Sequence, residues 1–303
     1  MAKRRSDGPT GFAVVDKPRG WTSHDVVAKA RGVFGTRKVG HSGTLDPDAT
    51  GVLLLGVGKA TRILRFLDGA VKSYTGDIVF GTETDSLDST GEVTATHDMG
   101  PIDLDAARAA AAELTGDILQ VPPMVSAKKV DGKRLHQLAR EGVEIEREPV
   151  PVSVYRFELE ATDDPMVLRA AVDCSAGTYI RVLAADLGRA LGGGAHLHGL
   201  RRTAIGSFTV EHAAPLESVE LVPAAVALRD LDPVTVGDDT ARDIAYGKVL
   251  PAAVLGPPRD QPYPVLSASG ELLAVYERHH HDTVKPSVVL AEPPPRPATE
   301  PPS

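Results

Sequence analysis

The chain has 303 residues, 42% hydrophobic and 24% charged, an ordinary globular balance and enough length for one sizeable domain plus a smaller one. No apolar run approaches the roughly 20 residues that cross a bilayer, the basic start MAKRRSDGPT has no apolar stretch behind it to make a signal peptide, and the single Cys174 cannot form an internal disulfide. These features point away from membrane-spanning, secreted and disulfide-stapled proteins and suit a cytoplasmic one. The net charge of −8 is unevenly spread, because residues 1–75 hold 13 Lys or Arg against 6 Asp, a local +7 that leaves −15 for the rest. A basic region able to face an anionic partner therefore adjoins an acidic body.

Residues 1–10 read as a flexible basic N-terminus. GFAVVDKP (11–18) reads as a short strand closed by Pro18, and Ser23 as the N-cap of a helix carrying Val26, Val27, Ala30, Val33 and Phe34 at helical spacing. A polar loop follows, then GVLLLGVG (51–58) as a buried strand and a helix over about 59–68. KSYTGDIVFG (72–81) alternates Tyr74, Ile78 and Phe80 on one face, as a strand does, and 82–93 is a polar loop ending in a second strand. LDAARAAAAELTG (104–116) reads as a helix with a glycine stop, and 126–142 as a basic segment in which Lys128, Lys129, Lys133, Arg134 and Arg140 face only Asp131 and Glu141. Strands near 150–160 and 166–174 precede a helix at 178–191. Strands mixed with irregularly spaced helices imply an α+β fold rather than a regular βαβ repeat. After residues 228–239 the texture changes to a short helix at 241–251, strands over 264–278 around a turn at Gly270, and a last strand at 286–290, enough for a small β-rich domain. The Pro-rich end AEPPPRPATEPPS is expected to be disordered.

Two phosphate- and nucleophile-like signals fail on inspection. GVGKAT (56–61) lacks the outer glycine and the Ser or Thr of a P-loop, having Leu53 and Ala60 there, and GHSGT (40–44) has Thr44 where a serine elbow needs glycine. His279, His280 and His281 are adjacent, and His196 and His198 sit in a Gly-rich turn without a carboxylate or thiol nearby, so no metal site is expected. The informative stretch is GHSGTLDPDATGVLLLGVGKATR (40–62). Pro47 fixes its own φ and pushes Asp46 toward extended backbone, while Gly43 and Gly51 let the chain turn on either side. A carboxylate held on a stiff bend beside a buried strand is what nucleophilic or acid–base chemistry needs, and that makes Asp46 a candidate catalytic residue. A loop with Asx turns is the alternative reading of the same residues.

That stretch resembles the signature of the bacterial tRNA pseudouridine-55 synthases, the TruB family, whose core runs G-H-x-G-x-L-D-P-x-A-x-G. The likeness extends to VVDKPRGWTSHDVV (14–27), KSYTGDIVFGTETDSLDSTG (72–91), VPPMVSAKKVDGKRLHQLAREG (121–142), CSAGTYIRVLAADLG (174–188) and LRRTAIGSF (200–208), so it covers most of residues 11–210. Ser42 stands where the family more often has Thr. The resemblance implies a pseudouridine-synthase catalytic domain with a mixed, mainly antiparallel sheet at 11–232, an RNA-pinching insertion at about 124–148 and a PUA-like RNA-binding domain at 236–291, and it assigns no role to the Pro-rich tail at 292–303. It implies isomerisation of a uridine in the tRNA T-stem-loop after the base is flipped out, by a monomer without cofactor or metal. Asp46 would be the essential catalytic residue, Tyr74 would stack on the base, Arg181 would pair with Asp46 and keep it ionised, Tyr179 and Leu200 would line the pocket, and His41 would shape the flipped RNA. Attack on the base, attack on the sugar and removal of a sugar proton all remain open for Asp46. An accompanying tRNA-folding chaperone role is compatible with this chemistry. A hydrolase built on Asp46 is disfavoured, because no His–carboxylate or Ser–His set accompanies it.

Overall fold

A computed structural model describes residues 8–124, 129–130, 133–134, 147–257 and 259–293. The basic start, most of the segment expected to be an RNA-pinching insertion and most of the Pro-rich tail lie outside the described residues. The larger unit is built from β1 (Gly11–Lys17), α1 (Ser23–Val33), β2 (Val39–Ser42), β3 (Thr50–Val57), β4 (Lys72–Phe80), β5 (Thr82–Thr84), β6 (Val93–Thr96), α2 (Leu104–Glu113) and β7 (Gly116–Gln120). Then come the two-residue strands β8 (Lys129–Val130) and β9 (Lys133–Arg134), followed by β10 (Val150–Ala161), β11 (Val167–Cys174), α3 (Ile180–Ala190), β12 (Ala195–Ile205) and β13 (Phe208–Thr209). The main sheet runs β1-β3-β12-β4-β11-β10-β7, with β2 on β3 and β13 on β12. The β3–β12 pairing is parallel and the others described in this sheet are antiparallel, so the sheet is mixed and mainly antiparallel in an α+β fold.

Side-chain periodicity explains the layers. Strand β4 buries every second residue, Lys72, Tyr74, Gly76, Ile78 and Phe80, because α2 and α3 cover only one face there. Strand β3 is buried almost throughout because both its faces are covered: Leu53, Leu55 and Val57 meet Val26, Val27 and Ala30 of α1, while Val52 and Leu54 meet Phe12, Ile63 and Phe208. Each such side chain contributes about 1.5–3 kcal/mol on burial.

Several elements differ from the sequence expectation. The cap of α1 is Thr22, one residue earlier: its hydroxyl accepts from Asp25 N at 3.0 Å and Asp25 Oδ2 accepts from Thr22 N at 2.8 Å. Residues 59–68 form two 3₁₀ turns, Gly58–Arg62 and Leu64–Leu67, rather than one helix. Helix α2 stops at Glu113, and Gly116 opens β7. The long strand β12, expected as a turn around its histidines, occupies the middle of the sheet.

The smaller unit contains β14 (Val234–Val236), α4 (Asp238–Ala245), β15 (Leu250–Pro251), α5 (Ala252–Leu255), β16 (Tyr263–Ser267), β17 (Leu272–Arg278) and β18 (Thr283–Val289), in the sheet order β14-β16-β17-β18-β15. It is the β-rich domain expected at the C-terminal end, with Gly270 at φ 83° turning β16 into β17. It is also joined to the larger unit. Leu272, Val275, Val288 and Leu290 share one apolar cluster with Phe12, Val14 and Leu64. Around that contact Arg62 donates to the Val289 carbonyl at 2.8 Å and Arg65 to the Ser287 carbonyl at 2.9 Å.

Candidate active site

Asp46 lies in the 43–49 loop that joins β2 to β3, and three sets of contacts fix that loop. Ser23, the expected helix cap, instead reaches from α1 to the loop, where its hydroxyl accepts from Leu45 N at 2.9 Å and donates to Leu45 O at 3.3 Å. The fully buried Lys17 donates to the carbonyls of Pro18, Trp21 and Pro47 at 2.9, 2.6 and 3.1 Å, and Gly20 N donates to Pro47 O at 2.8 Å. Burial lowers the Lys17 pKa to about 8, partly offset by the charges of Asp46 and Asp48. The Asp46-Pro47 bend is thus held through its backbone, leaving the Asp46 carboxylate available.

That carboxylate meets the Arg181 guanidinium at 3.0 Å. Arg181 is 4% exposed at the start of α3, and also donates to Ser86 O at 2.6 Å and lies 3.6 Å from Asp88. Burial raises the Asp46 pKa; Arg181 pulls it back and the Asp88 charge pushes it further up, so the net direction is upward. The ion pair expected from the sequence is present, and the Arg181 charge opposes the larger effect of burial. Asp48 turns away, with Arg19 at 3.4 Å.

Asp46 and Arg181 form part of the wall of a cavity of about 310 Å³. Tyr74, Tyr179 and Leu200 line the same cavity, so the structure brings together five of the six residues singled out from the sequence. Tyr179 precedes α3 and is anchored by the buried Gln120, which accepts from Tyr179 N at 2.8 Å and donates to Tyr179 O at 3.1 Å. The sixth, His41, does not line the cavity. It neighbours Ser42 on β2 and packs edge-on against His24 of α1 with ring centroids 5.5 Å apart, and burial lowers its pKa. His196 and His198 lie on β12, with His196 Nδ1 3.0 Å from Thr82 O, and no group of three metal-binding side chains occurs among the described residues.

Sequence reasoning missed two further cationic side chains in the cavity wall, Lys72 and Arg202, and the Asp88 carboxylate behind Arg181. Lys72 was within reach, because it shares the inward parity of Tyr74 and Ile78 on β4. Arg202 gives no such local signal, because Gly199 and the paired arginines interrupt the apolar alternation of β12.

The TruB family pseudouridylate synthase (N terminal domain) model matches residues 31–180, and the tRNA pseudouridylate synthase B C-terminal domain model matches residues 181–232. Proteins named tRNA pseudouridine synthase B are similar across most of their length. The one from Arthrobacter sp. is 43% identical over 88% of this chain and 92% of its own, and that from Rhodococcus jostii is 46% identical over 88% and 90%. The one from Mycolicibacterium paratuberculosis is 43% identical over 96% of this chain and 99% of its own. This chain belongs to the TruB family of pseudouridylate synthases. The fold is shared more widely: a chain from an H/ACA ribonucleoprotein bound to a substrate RNA containing 2′-deoxyuridine superposes with a TM-score of 0.70 at 23% identity, covering 93% of this chain and 85% of that one.

Proposed function

We propose that this protein isomerises a uridine of the tRNA T-loop, position 55, to pseudouridine, with Asp46 as the catalytic carboxylate. The observation that carries the reading is the Asp46–Arg181 pair at 3.0 Å in the wall of a cavity also lined by Tyr74, Tyr179 and Leu200. A uridine inside a folded loop cannot reach such a cavity, so the nucleotide is extruded from its stack and read there. Tyr74 stacks on the base and Tyr179 and Leu200 pack around it. Arg181 orients the carboxylate for its reaction at the nucleotide, and His41, outside the cavity, faces the RNA around the extruded base.

The reaction moves the glycosidic bond from N1 to C5 of one nucleotide. Nothing is oxidised and nothing is transferred to a second molecule, so the side chains supply binding, orientation and proton movement. The partner is the T-stem-loop of tRNA and the working unit is a monomer, in the cytoplasm. A protein that opens the loop to extrude a base also rearranges the RNA, so the reading includes a folding role that persists without chemistry. The test is to incubate the protein with an unmodified tRNA transcript and map pseudouridine by chemical modification and primer extension. A single new site in the T-loop, absent with Asp46→Asn, is expected; no modification, or modification elsewhere, overturns the reading.

A further inference from the structure

We propose that Arg202 is a positioning residue for Tyr74, its buried guanidinium holding the phenol oxygen in place as the acceptor of the uracil C5 proton. The proposal rests on the functional reading above.

Arg202 is fully buried on β12, directly between the two strands that make the site. It is the register partner of Tyr74 on β4 and of Gly51 on β3. Nε donates to the Val52 carbonyl at 2.8 Å and Nη2 to the Gly43 carbonyl at 3.0 Å, so two bonds fix the guanidinium plane against the Asp46 loop. As register partners on adjacent strands, Arg202 and Tyr74 present their side chains side by side, and both line the cavity.

The charge is what needs explaining. Arg181 and Arg201 each hold a carboxylate, at 3.0 and 2.8 Å, whereas no described carboxylate pairs with Arg202. Its neighbours include the buried cations Lys17 and Lys72, which add to the positive potential. A buried guanidinium with no counter-ion is destabilising, and bracing two carbonyls needs only a neutral donor such as a glutamine amide. The group that gains from an uncompensated cation is the phenol beside it. Burial raises the Tyr74 pKa, as do the charges of Asp46 and of Cys174 from β11, and Arg202 is the neighbour that opposes them.

This pairing serves one step of the isomerisation. Once C1′ is bonded to C5, that carbon carries both the sugar and its original proton, and N1 is double-bonded to C6. The Tyr74 oxygen takes the C5 proton, the C5–H electron pair forms the C5–C6 double bond, and the N1–C6 π pair moves to N1, which takes up a proton. Protons balance when the phenol returns its proton to N1 or to water. A phenol left without Arg202 binds its proton more tightly in the resting protein, so less of the acceptor form is present at neutral pH.

The experiment is single-turnover conversion of a tRNA transcript carrying uridine or 5-deuterouridine at the target, by the wild type, Tyr74→Phe, Arg202→Lys and Arg202→Gln, across a pH series. Arg202→Gln is expected to fold, to bind tRNA, and to slow by about tenfold for each unit by which the Tyr74 pKa rises. Its deuterium isotope effect should exceed that of the wild type, and its rate should go on climbing to higher pH. Arg202→Lys, which keeps the charge but loses the fork, should fall between the two. A folded Arg202→Gln enzyme with the wild-type isotope effect and pH profile overturns the proposal. So does failure of both variants to fold, which would make Arg202 a brace. A wild type that forms no pseudouridine sinks the functional reading itself, an outcome distinguishable from either of these.

Discussion

Gly51 and Arg202 meet so closely that a Cβ added to Gly51 would lie 2.1 Å from the Arg202 carbonyl oxygen. Gly51 also sits at φ 102°, where side chains are strained. This contact is where β12 docks against β3 and brings Arg202 beneath the Asp46 loop. Gly51→Ala should therefore destabilise the protein by about 3 kcal/mol or more and lower its activity, because backbone rather than a flexible side chain must give way. Gly20→Ala, at φ 84° with open space around it, should cost only about 1–2 kcal/mol. Chemical denaturation of both variants checks the difference.

Acidification should switch the enzyme off at a pH above the ordinary aspartate value. The folded pKa of Asp46 is raised above 3.8, so its charged form is lost as pH falls through that raised value. Asp88→Asn removes one of the charges that raises it and should move the acid limb of the single-turnover rate to lower pH. An unchanged limb would separate Asp88 from the titration of Asp46.

Asp46→Asn should abolish isomerisation without weakening the fold. The sign follows from linkage: a carboxylate whose folded pKa is raised stabilises the fold fully below its unfolded pKa and loses that contribution as pH rises through the folded value. At neutral pH the asparagine variant should therefore match or exceed the wild type in thermal stability, and the advantage should vanish below about pH 3.8, the ordinary value for this group. Its tRNA affinity should stay nearly intact, which gel-shift titration checks.

Arg181→Met should do more than disable catalysis. It strips Asp46 and Asp88 of their shared partner and leaves the Ser86 carbonyl without its donor. The expected cost is about 2–3 kcal/mol, below that of a deeply buried broken pair because Asp46 remains 40% exposed. Denaturant midpoints measured beside turnover would separate the two effects.

Removing residues 236–303 should compromise the larger unit rather than only its RNA affinity. Leu272, Val275, Val288 and Leu290 complete an apolar cluster that begins at Phe12 and Val14. Their loss exposes that cluster at about 1.5–3 kcal/mol per side chain of comparable burial. Lower solubility and an earlier thermal transition for the truncated chain are expected. A milder probe, Arg62→Ala with Arg65→Ala, removes the bonds to β18 and should speed proteolysis between the units.

Local pattern carried the reading of much of this fold. The alternation of β4, the run of apolar residues in β3 and the Gly270 turn follow from side-chain parity and backbone freedom, which neighbouring residues determine. The stiff Asp46-Pro47 bend was visible for the same reason. What escaped notice depended on distant residues. Strand β12 is split by Gly199 and carries Arg201 and Arg202 where a strand core is usually apolar; only its place between β3 and β4 makes those charges tolerable. Ser23 looked like a cap because its true partner, Leu45, is 22 residues away. Helical spacing in 59–68 lost to the tight packing of two 3₁₀ turns, which hold Ile63 and Leu64 in the cluster beneath β3.

The position of β12 also sets a timetable. Strands β3 and β4 are near neighbours in sequence yet do not pair, since residues 195–205 lie between them. While the ribosome has delivered only the first half of the chain, β3 lacks its partner on one edge and β4 lacks both β11 and β12. Arg181 and Arg202 emerge later still, so the cavity is finished only when nearly two-thirds of the protein has been made. Such long-range closure makes folding slow and leaves strand edges open to wrong partners during synthesis. A nascent chain of this enzyme is thus most vulnerable to misassembly just before its active site comes into existence.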